Sequence, residues 1–325
     1  MSIIANTLTS HTAVGIRESL SDVIYNISPE STPFVSNMTK RRSVSNTLYE
    51  WQIDSLADAA ANANIDGDDL SSFSAVALTS RLGNYTQILR KDFVIADNLG
   101  GALDEAGRRS EIAYQLAKKG NELKRDIEFN FCGVNQAAGA GSTSAARTTA
   151  SLSAFIRTNT SKGTGGGDPT VSSGIVNAAR TDASTGNRRA FTEAMLKTVV
   201  QGVWTQGGEP KFLMVGPFNK TVVSGFAGIA AQRYMAPDGP TQIIGAADIY
   251  VSDFGAIAVS PNRFSRERDA YVIDPDMVEM ATLRPIQSEE LAKTGDATKY
   301  MLLAEVGLQV NNEAGLGIIA DLTAA

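Results

Sequence analysis

Histidine and cysteine are nearly missing from this chain: its 325 residues contain one of each, His11 and Cys132. A single cysteine excludes an intrachain disulfide, so nothing marks an oxidising compartment. A zinc site of His and Cys ligands cannot be assembled within one copy. A Ser-His-Asp triad would have to use His11, which sits in a polar amino-terminal segment. No run reaches the ~18 apolar residues of a membrane span. Met1 to Thr9 has no basic stretch followed by a long apolar core, so no secretory leader is expected and the chain is expected to begin in the cytosol. The net charge of -6 and pI of about 5.0 give no general attraction to nucleic acid. Carboxylate chemistry, phosphate loops or no chemistry remain.

A second absence is local. Residues 43–80 hold six carboxylates and no lysine or arginine. Within them Leu48 to Asp54 alternates and carries aromatics, which predicts a strand. Asp66-Gly67-Asp68-Asp69 predicts a turn, and Phe73 to Leu78 and Tyr85 to Leu89 predict returning strands. The expected shape is a long two-stranded excursion. An isolated hairpin is marginal in water, so it needs a surface to lie on.

What is present supports a real core: 43% of residues are hydrophobic and 7% aromatic. The length suits one large or two to three small domains. Ala113, Leu116, Gly120, Leu123, Ile127 and Phe131 step by three and four, which predicts an amphipathic helix over roughly Leu103 to Phe131. Asp104 and Glu105 would complement its dipole. Gly120 on the apolar face is read either as close approach of another backbone or as simple tolerance. Residues 133–190 are rich in Gly, Ala, Ser and Thr, with six Lys/Arg against Asp168 and Asp182. This segment is expected to be ordered by partners or mobile, with Gly163–Gly167 a flexible tip. From Phe191 the pattern becomes compact α/β: a helix through Met195 to Val203, a strand at Phe212 to Val215, and a second helix from Pro217. Strands follow at Ile243 to Ser252, Ile257 to Val259, Tyr271 to Ile273 and Met277 to Leu283. Leu302 to Val310 reads as a long strand with one apolar face.

Candidate chemical motifs fail on spacing. Asn62-x-Asn64-x-Asp66-Gly67 matches half a calcium loop, but Phe73 stands where its bidentate Glu should be. The Gly163–Gly167 run is followed by Asp168-Pro169 instead of Lys-Ser/Thr, and Gly139-x-Gly141 reaches Ser144 where a third glycine belongs. Asp274/Asp276 and Glu289/Glu290 are ordinary solvated pairs in an acidic protein. No catalytic residue, metal ligand or cofactor site is nominated.

Charge segregation is the informative pattern. An acidic excursion and a basic helix surface on every copy would give a repeating heterologous contact. The candidate inter-subunit residues are Trp51, Asp54, Asp58, Asp66, Asp68 and Asp69 on the excursion, and Arg108, Lys118, Lys119, Lys124 and Arg125 on the helix.

Specific strings carry a resemblance. Ser21-Asp22-Val23-Ile24-Tyr25-Asn26-Ile27-Ser28-Pro29 with Thr32-Pro33-Phe34, and Glu50-Trp51-Gln52 with Asp54-Ser55-Leu56, lie in the first part. Ala106-Gly107-Arg108, Tyr114-Gln115 and Glu122 to Glu128 lie on the helix. Gly207-Gly208-Glu209-Pro210, Ser252-Asp253-Phe254-Gly255, Pro261-Asn262-Arg263-Phe264 and Leu291 to Asp296 follow. In order and spacing the chain resembles the phage SU-ten-like family of tailed-phage major capsid proteins with the Hong Kong 97 fold.

That resemblance implies an α+β fold. An arm (1–45), an extended loop (46–90) and a peripheral domain (91–190) with a spine helix and the Gly-rich insert would be followed by an axial domain (191–262) and return strands (263–325). It implies no enzyme activity. It implies a shell of hexamers and pentamers around double-stranded DNA, assembled in the host cytoplasm, with no membrane. A portal, and scaffold, protease or decoration proteins, would be partners. Some relatives crosslink through a lysine on the extended loop. Here none lies between Lys40 and Lys91, so noncovalent cohesion is expected. On the residues alone, another lattice-forming protein such as a tail-tube subunit is the alternative, and a carboxylate-based hydrolase a more distant one.

Overall fold

The computed structural model describes residues 31–38, 40–57, 59–64, 66–67, 73, 75–76, 78–98, 110–226 and 249–324. A short helix α1 (Pro33–Asn37) opens this part, with Pro33 in its first turn, where a missing N–H costs nothing. It leads to strands β1 (Lys40–Ser43) and β2 (Leu48–Ile53), and after the excursion to β3 (Ser80–Tyr85) and β4 (Gln87–Ala96).

The amphipathic pattern becomes helix α2 (Glu111–Glu128). Ser110 caps it, its side chain accepting from the Ala113 amide at 3.3 Å. The helix continues as one π-helical turn, Phe129–Gly133. Gly133 is needed there, because a Cβ would overlap the Phe264 carbonyl and the Phe129 ring. The expected start near Leu103, with Asp104 and Glu105, lies outside the described residues.

The rest of the chain supplies α3 (Leu152–Phe155), β5 (Asn159–Ser161), β6 (Thr170–Ser172), β7 (Ile175–Ala178), α4 (Glu193–Thr205), β8 (Phe212–Val215) and α5 (Pro217–Val223). Strands β9 (Ile249–Ser252), β10 (Gly255–Pro261), β11 (Ala270–Ile273), β12 (Val278–Leu291), β13 (Ala297–Val310) and β14 (Gly317–Ile319) complete it.

The described strands form three sheets, with strand orders β1-β12-β13-β4, β5-β14-β11-β8-β10-β9 and β2-β3-β7-β6. Helix α2 lies on the first sheet, packing Leu116 and Leu123 on Leu89, Phe93, Leu302 and Ala304. Helices α4 and α5 bury Leu196, Val199, Val200, Val203 and Val223 against Leu213, Val215, Tyr250, Ile257, Val259 and Val272 of the six-stranded sheet. The largest core joins α1, the end of α2, α3 and all three sheets through Phe34, Trp51, Phe131, Phe155, Met214, Tyr271, Val306 and Ile318.

The six-stranded sheet takes β5 from the Gly-rich insert, and β11 and β14 from beyond residue 262. Two expectations are revised. The second face of β13 is not solvated, since Glu305, Gly307 and Gln309 are buried as well. Arg147 and Arg284 take up the Glu305 charge, and Tyr49 fills the space that Gly307 leaves.

The insert is held by its own chain. Gly163 donates to Asp321 at 3.1 Å, Gly167 and Thr181 exchange backbone bonds, and β7 joins β3. Its cations are mostly engaged internally: Arg147 with Glu305, Arg157 with Glu313, Lys162 and Arg180 with Asp168, and Arg189 with the Ala320 carbonyl. Among the described residues, a Cβ on Gly120 would meet Leu302 Cδ2 at 4.0 Å and no backbone of another element.

Candidate assembly surface

The excursion has a rigid root. Strands β2 and β3 pair antiparallel from Leu48↔Tyr85 to Ile53↔Ser80. Tyr49, Trp51 and Leu82 point into the main core, with the Trp51 ring 5.9 Å from Tyr49 and 6.2 Å from Phe155. The Tyr49 hydroxyl donates to the Leu308 carbonyl at 2.7 Å, and burial pushes its ionisation far up. Asn84 donates to Thr149 Oγ1 at 2.9 Å and to the Leu308 carbonyl at 2.7 Å, and accepts from the Ala150 amide at 2.9 Å.

One carboxylate joins the root to two other elements. Glu305 on β13 accepts from Thr86 at 2.8 Å, from Arg147 of the insert and from Arg284 of β12 at 2.9 Å. A buried charge with two cationic partners and a hydroxyl is satisfied, where an isolated one would be costly.

Past Ile53 the character changes abruptly. None of the described residues between Asp54 and Thr79 is in a strand, so among the described residues the strand pairing of the expected excursion is confined to its root. Gly67, at φ 82°, makes the expected turn with Asp66. Leu56 is 98% exposed, Phe73 84%, Val76 89% and Leu78 90%. Single exposed apolar side chains are ordinary, but four nearly bare ones on one acidic loop make this segment an unusual exposed apolar set.

The nominated residues divide accordingly. Asp54 and Asp66 are exposed on the excursion. Trp51 is buried inside its own chain. Lys118 and Lys124 are exposed on α2. Lys119 pairs with Glu122 at 2.8 Å, and Arg125 stacks over the Phe264 ring at 5.3 Å. Asp58, Asp68, Asp69 and Arg108 lie outside the described residues, as does His11. Sequence reasoning missed Leu56, Phe73, Val76 and Leu78 as contact candidates. Their signal was large apolar side chains within a segment too polar to build its own core.

Among the described residues no group of three His, Cys, Asp or Glu side chains is placed to hold a metal ion. No described helix is long and apolar enough to cross a membrane.

A rooted excursion, a long helix on a mixed sheet, and a second sheet layered with helices define the Hong Kong 97 fold, the architecture of tailed-phage shell subunits. The capsid of the cyanophage A-1(L) superposes with a TM-score of 0.67 at 12% identity, covering 98% of this chain and 100% of that one. The capsid of a native GTA particle does so at 0.61 and 13% identity, covering 97% and 98%. The chain belongs to the SU10 major capsid protein family, whose model matches residues 3–323. The major capsid protein of Escherichia phage Phieco32 is 27% identical over 94% of each chain. The protein is thus a structural capsid subunit of a phage virion, not an enzyme, and it assembles into a multi-subunit shell.

Proposed function

We propose that copies of this chain form hexamers and pentamers of an icosahedral head around double-stranded DNA, held together noncovalently. In this reading residues 54–79 lie over an adjacent copy. Leu56, Phe73, Val76 and Leu78 supply the contact energy, and Asp54 and Asp66 set register against basic groups such as Lys118 and Lys124. The six-stranded sheet with α4 and α5 is the axial domain at capsomer centres. The four-stranded sheet with α2 is the peripheral domain. A portal, and scaffold, protease or decoration proteins, are its partners, and the host cytoplasm is where it assembles.

The supporting observation is the near-complete exposure of those four apolar side chains beyond a root anchored in the core by Tyr49, Trp51 and Leu82. Burying a Leu, Val or Phe side chain is worth roughly 1.5–3 kcal/mol, whereas each exposed ion pair is worth ~0–1 kcal/mol. Apolar contact therefore dominates cohesion and charge directs it.

The test is particle yield by electron microscopy for Phe73→Asp and Leu78→Asp. Both should abolish or greatly reduce closed shells while leaving the subunit's thermal unfolding unchanged. Normal particle yield from both variants would remove the neighbour contact.

A further inference from the structure

The bare apolar side chains of the excursion need an apolar seat. Where helix α1 meets the six-stranded sheet there is a cavity of about 200 Å³, walled by Phe34, Met38, Phe212, Ile273, Pro275 and Val278. All six are apolar. An apolar cavity of about 150 Å³ holds one benzene molecule, so this one admits a single phenylalanine ring. A second hollow has Ser142 and Arg147 in its wall and suits an aromatic ring less well.

The cavity is preformed. The α1 wall is fixed by Glu128, whose carboxylate accepts from the Phe34 and Val35 amides, each at 2.8 Å. The Phe34 ring also meets Phe131 edge-on, with centroids 6.4 Å apart. The opposite wall is the start of β8 and the end of β11, both hydrogen-bonded in the sheet. Walls tied in this way reduce the ordering cost of taking up a side chain.

Its margin is basic. Lys211 lines the cavity, and Lys40 approaches the same Asp276 carboxylate, at 3.7 and 3.6 Å respectively. Lys211 also pairs with Glu209 at 3.0 Å, and Asp274 accepts from the Glu209 and Asp276 amides. Arg41 and Arg42 follow Lys40 on β1 and are exposed; Arg42 donates to a neutral partner, Gln309, at 3.1 Å. Lys40, Arg41, Arg42 and Lys211 thus outnumber Glu209, Asp274 and Asp276. Residues 54–79 carry carboxylates and neither lysine nor arginine.

We propose that this cavity is the seat for the Phe73 side chain of an adjacent copy's excursion, with Lys40, Arg41 and Arg42 facing that loop's carboxylates. This rests on the reading that residues 54–79 lie over a neighbour, and it names the place. Phe73 is the aromatic member of the four bare side chains, and aromatic anchors in pockets carry much of an interface's energy. The reach is sufficient. Residues 66–73 span roughly 24 Å when extended. From β4, under α2, to β1 is three strand spacings, roughly 14 Å. Asp66 can therefore face Lys118 or Lys124 while Phe73 enters the cavity. The contact is heterologous, so successive copies close into a ring.

Two experiments on the full-length chain test this. Asn37 is exposed at the lip of the cavity. Phe73→Cys with Asn37→Cys should oxidise in assembled particles to a ladder of disulfide-linked multimers. The rate should be at least about tenfold above that of Phe73→Cys with Lys197→Cys on α4. Cys132 is buried and does not compete. A rate equal to the control overturns the proposal, and so does a disulfide closed within one copy. Independently of cysteine chemistry, Asn37→Trp should plug the mouth and cut closed-shell yield at least about tenfold, with the subunit's thermal midpoint unchanged. Asn37→Ala should assemble normally. Normal yield from Asn37→Trp overturns the proposal; equal loss from both variants places the requirement in the Asn37 side chain and overturns it too. Loss of shells with Phe73→Asp beside normal shells with Asn37→Trp would keep the neighbour contact and remove only this seat.

Discussion

The Asp321 carboxylate accepts a hydrogen bond from the Gly163 amide at 3.1 Å, across 158 residues of sequence. It also accepts from the Ala183 amide at 2.8 Å and from Arg268 at 2.6 Å. Burial pushes this carboxyl up, but the two amides and the guanidinium together hold it below the usual range. Asp321 sits at φ 61°, a conformation that side chains seldom adopt, so the surrounding bonds fix it.

The glycines of that turn are a steric requirement. A Cβ on Gly166 would collide with Asp321 Oδ2. Gly166→Ala should therefore lower stability by about 1–3 kcal/mol, and Asp321→Ala by about 1–3 kcal/mol for each of the Gly163 and Ala183 amides it leaves without an acceptor, while Arg268 keeps Asp182. Chemical unfolding monitored by tryptophan fluorescence checks both. An unchanged midpoint for Gly166→Ala would show that the turn can open without cost.

Trp51 tests the division between core and contact. Its ring packs on Tyr49 and Phe155, so Trp51→Ala should cost about 3–5 kcal/mol of subunit stability. The indole Nε1 is buried without a hydrogen-bond partner, so Trp51→Phe sacrifices no polar contact and should cost less than about 1.5 kcal/mol. Comparing unfolding midpoints with particle yield separates a folding defect from an assembly defect at this position.

Much of the fold was legible because it rests on local periodicity. The steps Leu116, Leu123, Ile127 marked α2, the run Leu196, Val199, Val200, Val203 marked α4, and Phe212 to Val215 marked a buried strand. The insert was misread because its order is non-local. Gly163 needs Asp321, Arg147 needs Glu305 and Arg157 needs Glu313, and composition carries no trace of such partners. The insert's cations look free along the sequence in the same way, yet most are neutralised from within the fold. The exposed apolar residues of the excursion were overlooked because strand alternation predicts paired neighbours for Phe73 to Leu78, and the described residues there belong to no strand.

Stability should carry an unusual pH term from Asp269. Burial pushes its carboxyl up to about 6, against the pull of Arg266, which it meets at 2.7 Å. An unfolded aspartate titrates near 3.9, so the folded state holds the proton more tightly. This contribution is present below about pH 4 and is lost as pH rises through about 6. Asp269→Asn should flatten that part of the stability profile by on the order of 1–3 kcal/mol. Urea unfolding across the same range checks it, and a profile parallel to wild type would contradict the assignment.

Gly120 lies in mid-helix, half-buried, with room for a methyl group beside Leu302. Gly120→Ala should raise subunit stability by ~1 kcal/mol through helix propensity alone. If shells then fail to form while the thermal midpoint rises, a neighbouring copy's backbone passes that position. If shells form normally, the glycine is merely tolerated.

The order in which strands enter the sheets constrains biosynthesis. Strand β13 lies between β12 and β4, and β14 between β5 and β11, so residues 297–319 are interior members of two sheets. A nascent chain that has emerged only as far as residue 290 has two sheets with a gap in each and no Asp321 to seat the glycine turn. Such non-local closure is slow relative to helix formation. A chain that ends before residue 297 therefore lacks an interior strand of each of these two sheets and the carboxylate that holds the glycine turn.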